Sequence, residues 1–275
     1  MIGKFMAKKI SLFCTIAIVL FLSIFPLLYL FLTSIKPPGL LMASPPRCFF
    51  RPDFNVYTEL FVERQYARYY VNSLVVSIIA TILALFIGSF ASFSFVRYKF
   101  KSTFFLFFLI VLTRAYMPVT TIIPLYLAGR YLGLLDTRLF LILAYTSFQL
   151  PLAVFVMRNF ISEIPNEIQE SAEIDGCSPA GIFIHIIIPL SAPGLIAAGV
   201  LIFIFCWNEF LFALFTTSFK AKTATVLLAG LRESEAALHW AEVASCGFMM
   251  AIPVIVFAIF LSKFLVHGLS VGAVK

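Results

Sequence analysis

The length of the apolar runs constrains this chain more than any motif in it. Runs near residues 10–32, 70–95, 102–127, 139–157, 183–215 and 246–265 are each long enough to cross a bilayer as a helix, which takes about 20 residues. Lipid offers no partner for backbone N–H and C=O groups, so such runs have to be helical. Of the 275 residues only 12% are charged and 62% are hydrophobic, where a soluble domain carries about 25% charge. The fold class expected is an all-α polytopic membrane protein, with six transmembrane helices forming one domain over residues 1–275. The net charge of +7 does not point to nucleic acid, because the basic residues are scattered between apolar runs.

Two basic clusters set the topology. Lys4, Lys8 and Lys9 precede the first run, and Arg97, Lys99 and Lys101 follow the second. Two crossings return the chain to its starting side, so both clusters agree on one cytoplasmic face. Six crossings then leave both termini in the cytoplasm. The first run is too long for the core of a signal peptide, so an uncleaved helix is expected. Residues 33–68 carry Pro37-Pro38, Pro45-Pro46 and Pro52 and read as an irregular external segment, with a short surface helix over 55–64. That segment is either a contact surface for a substrate-binding protein or a plain connector.

Polar groups inside apolar runs are costly, and they mark either a pathway or a structural partnership. Arg114 falls near the middle of the third run, between prolines that should break the helix. It is a gate residue, the partner of a carboxylate such as Glu209, or a side chain snorkelling to the surface. Gln149 and Pro151 sit in the fourth run. Trp207, Asn208 and Glu209 fall toward the outer end of the fifth, where a Trp is most simply an interfacial anchor.

Residues 163–194 are the one long polar interruption in the apolar second half. Glu163, Glu167 and Glu170 recur at helical spacing, and so do Ile164, Ile168 and Ala172, so a short amphipathic helix is expected. Pro165 fits its first turn, and Gly176 supplies a stop or a close backbone approach. A helix this short cannot cross a bilayer. It can lie at the surface and present one face to another protein.

This segment carries a resemblance to a known family. Glu170-Ser171-Ala172, three residues, Gly176, nine residues, Ile186, one residue and Ile188-Pro189 resemble the EAA loop of ABC importer permeases, with Ser171 for an Ala and Ile188 for a Leu. Pro189-Leu190-Ser191-Ala192-Pro193-Gly194, Trp207-Asn208-Glu209-Phe210 and the ending from Gly268 are similar to the sugar-importer branch, in particular the maltose-type second permease. The resemblance runs from about Asn72 onward. It implies the type I ABC importer permease fold, in the bacterial plasma (inner) membrane, with residues 163–189 as a cytoplasmic coupling loop seated in a cleft of an ATPase. Glu170, Ser171, Ala172, Ile174, Asp175, Gly176, Cys177, Ile186 and Pro189 are its expected coupling residues, and Gly272 and Ala273 in a small flexible tail are carried over with them. The implied partners are a second permease, two copies of a cytoplasmic ABC ATPase, an external solute-binding protein or lipoprotein, and the lipid bilayer. The implied substrate is a disaccharide or oligosaccharide such as maltose or trehalose, or a glycerol-phosphate. Arg114, Tyr116, Gln149, Asn208 and Glu209 are the candidates for the substrate path.

The sequence carries no nucleophile elbow, zinc motif or P-loop. A non-catalytic transport subunit is therefore expected, binding no cofactor itself, with ATP and Mg on the partner ATPase. The five cysteines show no metal-ligand spacing, although a Cys48–Cys246 disulfide is conceivable. Two rival classes remain: an ion-coupled secondary transporter using Arg114 and Glu209 as a relay, and a non-transport membrane scaffold.

Overall fold

The structure, a computed structural model, describes residues 2–41, 43–45, 47, 49–98, 102–232 and 239–272. The described residues form helices and no strands. Along the chain these are α1 (Ile2–Ser34), α2 (Pro38–Leu41), α3 (Asn55–Val62), α4 (Tyr66–Arg97) and α5 (Thr103–Leu112), followed by a 3-10 turn over Thr113–Ala115. Then come α6 (Pro118–Tyr131), α7 (Arg138–Ser162), α8 (Asn166–Ile174) and α9 (Pro179–Ile182), and a π-helical turn over Phe183–Ile187. The chain continues through α10 (Ile188–Leu190), α11 (Ala192–Trp207), α12 (Leu211–Thr216), α13 (Ala224–Arg232) and α14 (His239–Gly272).

Four helices hold stretches long and apolar enough to cross a membrane: Ser11–Ser34, Tyr66–Arg97, Arg138–Ser162 and Trp240–Ile259. Two more spans are broken ones. Thr103–Ala115 meets Pro118–Tyr131 at 96°, and Pro179–Leu190 meets Ala192–Trp207 at 78°. The first break has a direct cause: Met117 is extended, and Pro118, which cannot continue a helix from before it, starts α6 at its first position. Expected spans at 102–127 and 183–215 are thus each divided, and the second stops at Trp207 before α12 restarts. The expected flexible tail from Gly268 is instead helical as far as Gly272, while Ala273 lies outside the described residues.

The chain divides into two compact units, residues 1–66 with 227–253, and residues 67–226 with 254–275, where the sequence reading has one domain. In the first, the Ser34 and Tyr57 hydroxyls lie 2.7 Å apart, the Ser245 hydroxyl donates to Ser34 O at 3.1 Å, and Arg64 pairs with Glu242 at 3.3 Å. Cys246 is a buried free thiol, and Cys48 lies outside the described residues.

The second unit is built on α4, α7 and α11. Small and hydroxylic residues line the buried side of α4, with Ser73, Ser77, Ala80, Ala84, Ser89 and Ser92 all buried. A Cβ added at Gly88 would stand 2.5 Å from the Ala153 Cβ on α7, so glycine is what lets these two backbones meet. The Ser92 hydroxyl bridges them, donating to Val154 O at 2.9 Å. Trp207 is 1% exposed, stacked on Phe203 at 5.9 Å and edge-on to Tyr70 at 5.4 Å. It is a core residue, not the expected interfacial anchor. Replacing Gly88 by Val should cost about 1–3 kcal/mol through overpacking. A lower thermal midpoint of the detergent-solubilised protein would register this, with Gly230→Ala, which meets open space, as the control.

Candidate coupling surface and membrane cavity

α8 is shorter than its sequence pattern suggests. Glu163 caps the end of α7, and Pro165 precedes the first residue of α8, so Glu163 and Ile164 do not belong to it. The side turned inward is set by Gln169 and Ala172, which are buried. Ile168, expected on the apolar stripe, is 40% exposed. One side chain fixes the helix from below. Arg97, the last residue of α4, donates from Nη1 to Gln169 Oε1 at 3.2 Å and forms an ion pair with Glu173. Its guanidinium also lies over the rings of Phe93 and Tyr98. The sequence reading used Arg97 only as a topology signal. Its role as a brace could have been suspected only by placing Gln169 and Glu173 four residues apart on one helical face.

The outer side of this segment is exposed. Glu170, Ser171, Asp175, Gly176 and Cys177 are exposed, Ile174 is 88% exposed, and Glu173 remains partly open to solvent beside its pairing with Arg97. Gly176 has φ +83, and an added Cβ would meet nothing within 4 Å. Its glycine is therefore required first by the left-handed backbone that ends α8, where Cys177 N donates to Ala172 O at 2.9 Å. Ala172 faces the core, Ile186 packs partly against it, and Pro189 is exposed within α10.

The five path candidates separate into two groups. Arg114, in the turn between α5 and α6, donates from Nη1 to Gln149 Oε1 at 3.0 Å and to Phe148 O at 3.4 Å. Its guanidinium lies 4.9 Å from the Phe205 ring and 5.9 Å from that of Phe148. Tyr116 lines a cavity of about 220 Å³ beside it, with Thr113, Thr121, Ser147, Phe148 and Phe212. Arg114, Tyr116 and Gln149 thus gather around one polar break in the span. Asn208 and Glu209 do different work. Asn208 donates to Ile204 O at 2.9 Å, and the Glu209 carboxylate accepts from Phe212 N at 2.8 Å and Ala213 N at 3.2 Å, capping α12. Of the three readings of Arg114, a pairing with Glu209 is not found: Arg114 meets Gln149 and Phe148 O, and Glu209 meets the N–H groups of α12.

At the other end of α7 lies a site that sequence reasoning missed. Asp136, with φ +57, accepts backbone N–H bonds from Ser218, Phe219, Lys220 and Ala221 at 2.9–3.1 Å. Asn72 supports the same loop, donating to Lys220 O at 3.1 Å and Lys222 O at 2.8 Å while accepting from Arg138 Nε at 2.7 Å. Partial burial pushes the Asp136 carboxyl up, and the four backbone donors outweigh it, holding it below the ordinary carboxylate value. Nothing local in the sequence joins residues so far apart.

Apolar spans, two of them broken and the first with a polar break at Arg114, together with a braced helix outside them, define a polytopic membrane protein. The family model described as binding-protein-dependent transport system inner membrane component matches residues 80–270. The chain belongs to that family. It is 32% identical over 255 residues to the probable ABC transporter permease protein y4oR of Sinorhizobium fredii, covering 93% of this chain and 91% of that protein. It is 36% identical over 191 residues to the trehalose transport system permease protein SugB of Mycobacterium tuberculosis, covering 69% of this chain and 70% of that protein. The fold matches a chain in the crystal structure of a bacterial ABC transporter involved in import of the acidic polysaccharide alginate, with a TM-score of 0.78 and 22% identity over 94% of this chain and 96% of that one.

Two outcomes are expected. Arg97→Ala should weaken the hold on α8 by on the order of 1 kcal/mol for this partly exposed cluster, so amide exchange over residues 166–174 should quicken about fivefold. The depressed carboxyl of Asp136 contributes stability that is present above the unfolded-state value of about 3.9 and lost as pH falls through the lower folded value. Asp136→Asn should expose residues 217–222 to proteolysis at neutral pH, whereas the unsubstituted loop should stay protected to below about pH 4.

Proposed function

We propose that this chain is one of the two permease subunits of an ATP-driven importer and that α8 is its coupling element. In this reading the α8 side of the membrane is cytoplasmic, both termini lie there, and the Asp136 loop faces outward. ATP and Mg bind on two copies of a separate ATPase, and this chain performs no chemistry. An external solute-binding protein delivers the substrate. The substrate is a sugar, a disaccharide or oligosaccharide such as trehalose or maltose, or a glycerol-phosphate.

The observation that carries the reading is Ile174. A large apolar side chain 88% exposed at the end of a helix held by Arg97 is a knob without a socket among the described residues. A lone exposed apolar residue is ordinary by itself; Ile174 supports the reading because it stands on a helix held from its other side, with charged groups around it, as an apolar anchor within a polar rim does at protein contacts. Glu170 and Asp175 flank it with charge, and Gly176 leaves the middle of the turn beyond it without a side chain. A docked partner that moved would carry α8 with it. Through Arg97 the movement would reach α4, and through residues 163–165 it would reach α7. A volume of 220 Å³ at the Arg114 break falls below the roughly 300 Å³ of a small-ligand site, which fits a path whose other wall comes from a second permease.

Affinity capture of the chain in mild detergent should recover a P-loop ATPase and a second six-span permease. Ile174→Asp should abolish ATPase recovery and uptake while leaving the amount of membrane-inserted chain unchanged. Full uptake by that variant at normal protein level would refute the assignment of α8 as the coupling element.

A further inference from the structure

A second cavity, of about 840 Å³, opens beneath the start of α8. The end of α4 (Phe95, Val96), the start of α5 (Thr103, Phe104), the end of α7 (Arg158, Ser162) and residues 163–167 line it. Among the described residues of that lining, Arg158 is the cationic group, and Glu163 and Glu167 are the anionic ones. The proposed transport path does not use it, and the coupling reading uses only the chain connection through residues 163–165 at its edge.

Its depth is fixed by the sequence. No Asp, Glu, Lys or Arg falls between Arg138 and Arg158, and both lie on α7. Twenty residues at 1.5 Å each separate them by about 30 Å, the thickness of the hydrocarbon layer. The two arginines therefore bracket that layer, and Arg158 stands at the level of the lipid headgroups. Its guanidinium lies 4.5 Å from the Phe107 ring, which in turn stands edge-on to Phe95 at 6.3 Å. Its Nε is buried and makes no hydrogen bond, and Arg158 forms no ion pair among the described residues. Leaving a guanidinium N–H buried and unmet is costly, and a phosphate is the planar fork's ordinary partner. Phe104, 76% exposed and stacked along the helix on Phe108 at 6.4 Å, borders the cavity with an apolar surface suited to acyl chains.

The carboxylates decide which lipid. A purely anionic headgroup would meet Glu163 and Glu167 beside its phosphate. A headgroup carrying a phosphate and a primary ammonium on a two-carbon bridge meets Arg158 with the first and these carboxylates with the second. We infer that this cavity is a binding site for a zwitterionic aminophospholipid, holding the phosphoethanolamine headgroup between Arg158 and Glu163/Glu167 at the base of α8. The inference rests on the membrane placement of α7 and not on the transport role of α8. Lipid retention therefore tests it separately from the proposed function.

The test uses the full chain with whatever partners co-purify, in mild detergent. It is exchanged into mixed vesicles of phosphatidylethanolamine, phosphatidylcholine and phosphatidylglycerol in equal parts, re-extracted, and its retained lipid identified by native mass spectrometry. Phosphatidylethanolamine should be retained at least fivefold over the other two, and millimolar inorganic phosphate should not displace it. Arg158→Gln should abolish retention. Glu163→Gln, a change at an exposed helix end that leaves folding intact, should keep a bound phospholipid but lose the preference over phosphatidylglycerol. Equal retention of all three lipids, displacement by phosphate, or unaltered preference in Glu163→Gln would overturn the inference. So would loss of ATPase co-purification in Arg158→Gln with lipid retention unchanged, which would mean that a partner side chain fills the cavity.

Discussion

Helices already inside a bilayer gain nothing by hiding apolar surface from lipid, so close backbone contact and interhelical hydrogen bonds must hold them together. That constraint governs the larger unit of this chain. Its central pair, α4 and α7, meets where Gly88 faces Ala153, and the Ser92 hydroxyl spans the contact to Val154 O. The same solution recurs at Gly194, where an added Cβ would stand 2.4 Å from the Phe160 ring. Where backbones touch this closely, one helix cannot shift without the other. The scaffold is closely packed along α4 and α7, and within the spans the irregular backbone lies at the two breaks and the π-helical turn at Phe183–Ile187.

Those breaks are affordable in lipid only because their polar groups are met from within. Arg114 sits at the first and is answered by Gln149 and a backbone carbonyl from α7. Glu209 sits at the end of the second broken span and is answered by the N–H groups of α12. Each charge therefore serves its own break, and neither serves the other. A relay between them would need both to abandon these partners, which weighs against the ion-coupled alternative on energetic grounds.

Much of this was legible in the sequence because its cause is local. Apolar run length gives spans, proline gives the break before α6, and the glycine at 176 marks the end of α8. The pattern around 163–194 revealed a surface helix but misplaced its start, because Glu163, Glu167 and Glu170 keep helical spacing across what is a turn at Pro165. What could not be read depends on residues far apart in sequence. Asp136 and the backbone of 218–221, Arg97 and Gln169, and Trp207 packed on Tyr70 leave no periodic trace. Trp207 shows the difficulty best, since a Trp near the end of an apolar run fits an interfacial anchor until Tyr70 and Phe203 are seen around it.

α7 ties the two ends of the larger unit into one mechanical element. It runs about 37 Å at 1.5 Å per residue, and Asp136, two residues before it, grips the loop over 218–221. At its other end Glu163 hands the chain to α8. α4 runs beside it and reaches α8 a second way, through Arg97. A force on α8 is thus resisted by two helices that cannot slide at Gly88, and it can be relieved only where the backbone is already irregular. The π-helical turn at Phe183–Ile187 and the bend between α10 and α11 are such places, and they follow α8 directly in the chain. Close packing at Gly88 and irregular backbone after Pro179 are the arrangement that the proposed coupling role of α8 would need to move the broken span that ends in Trp207.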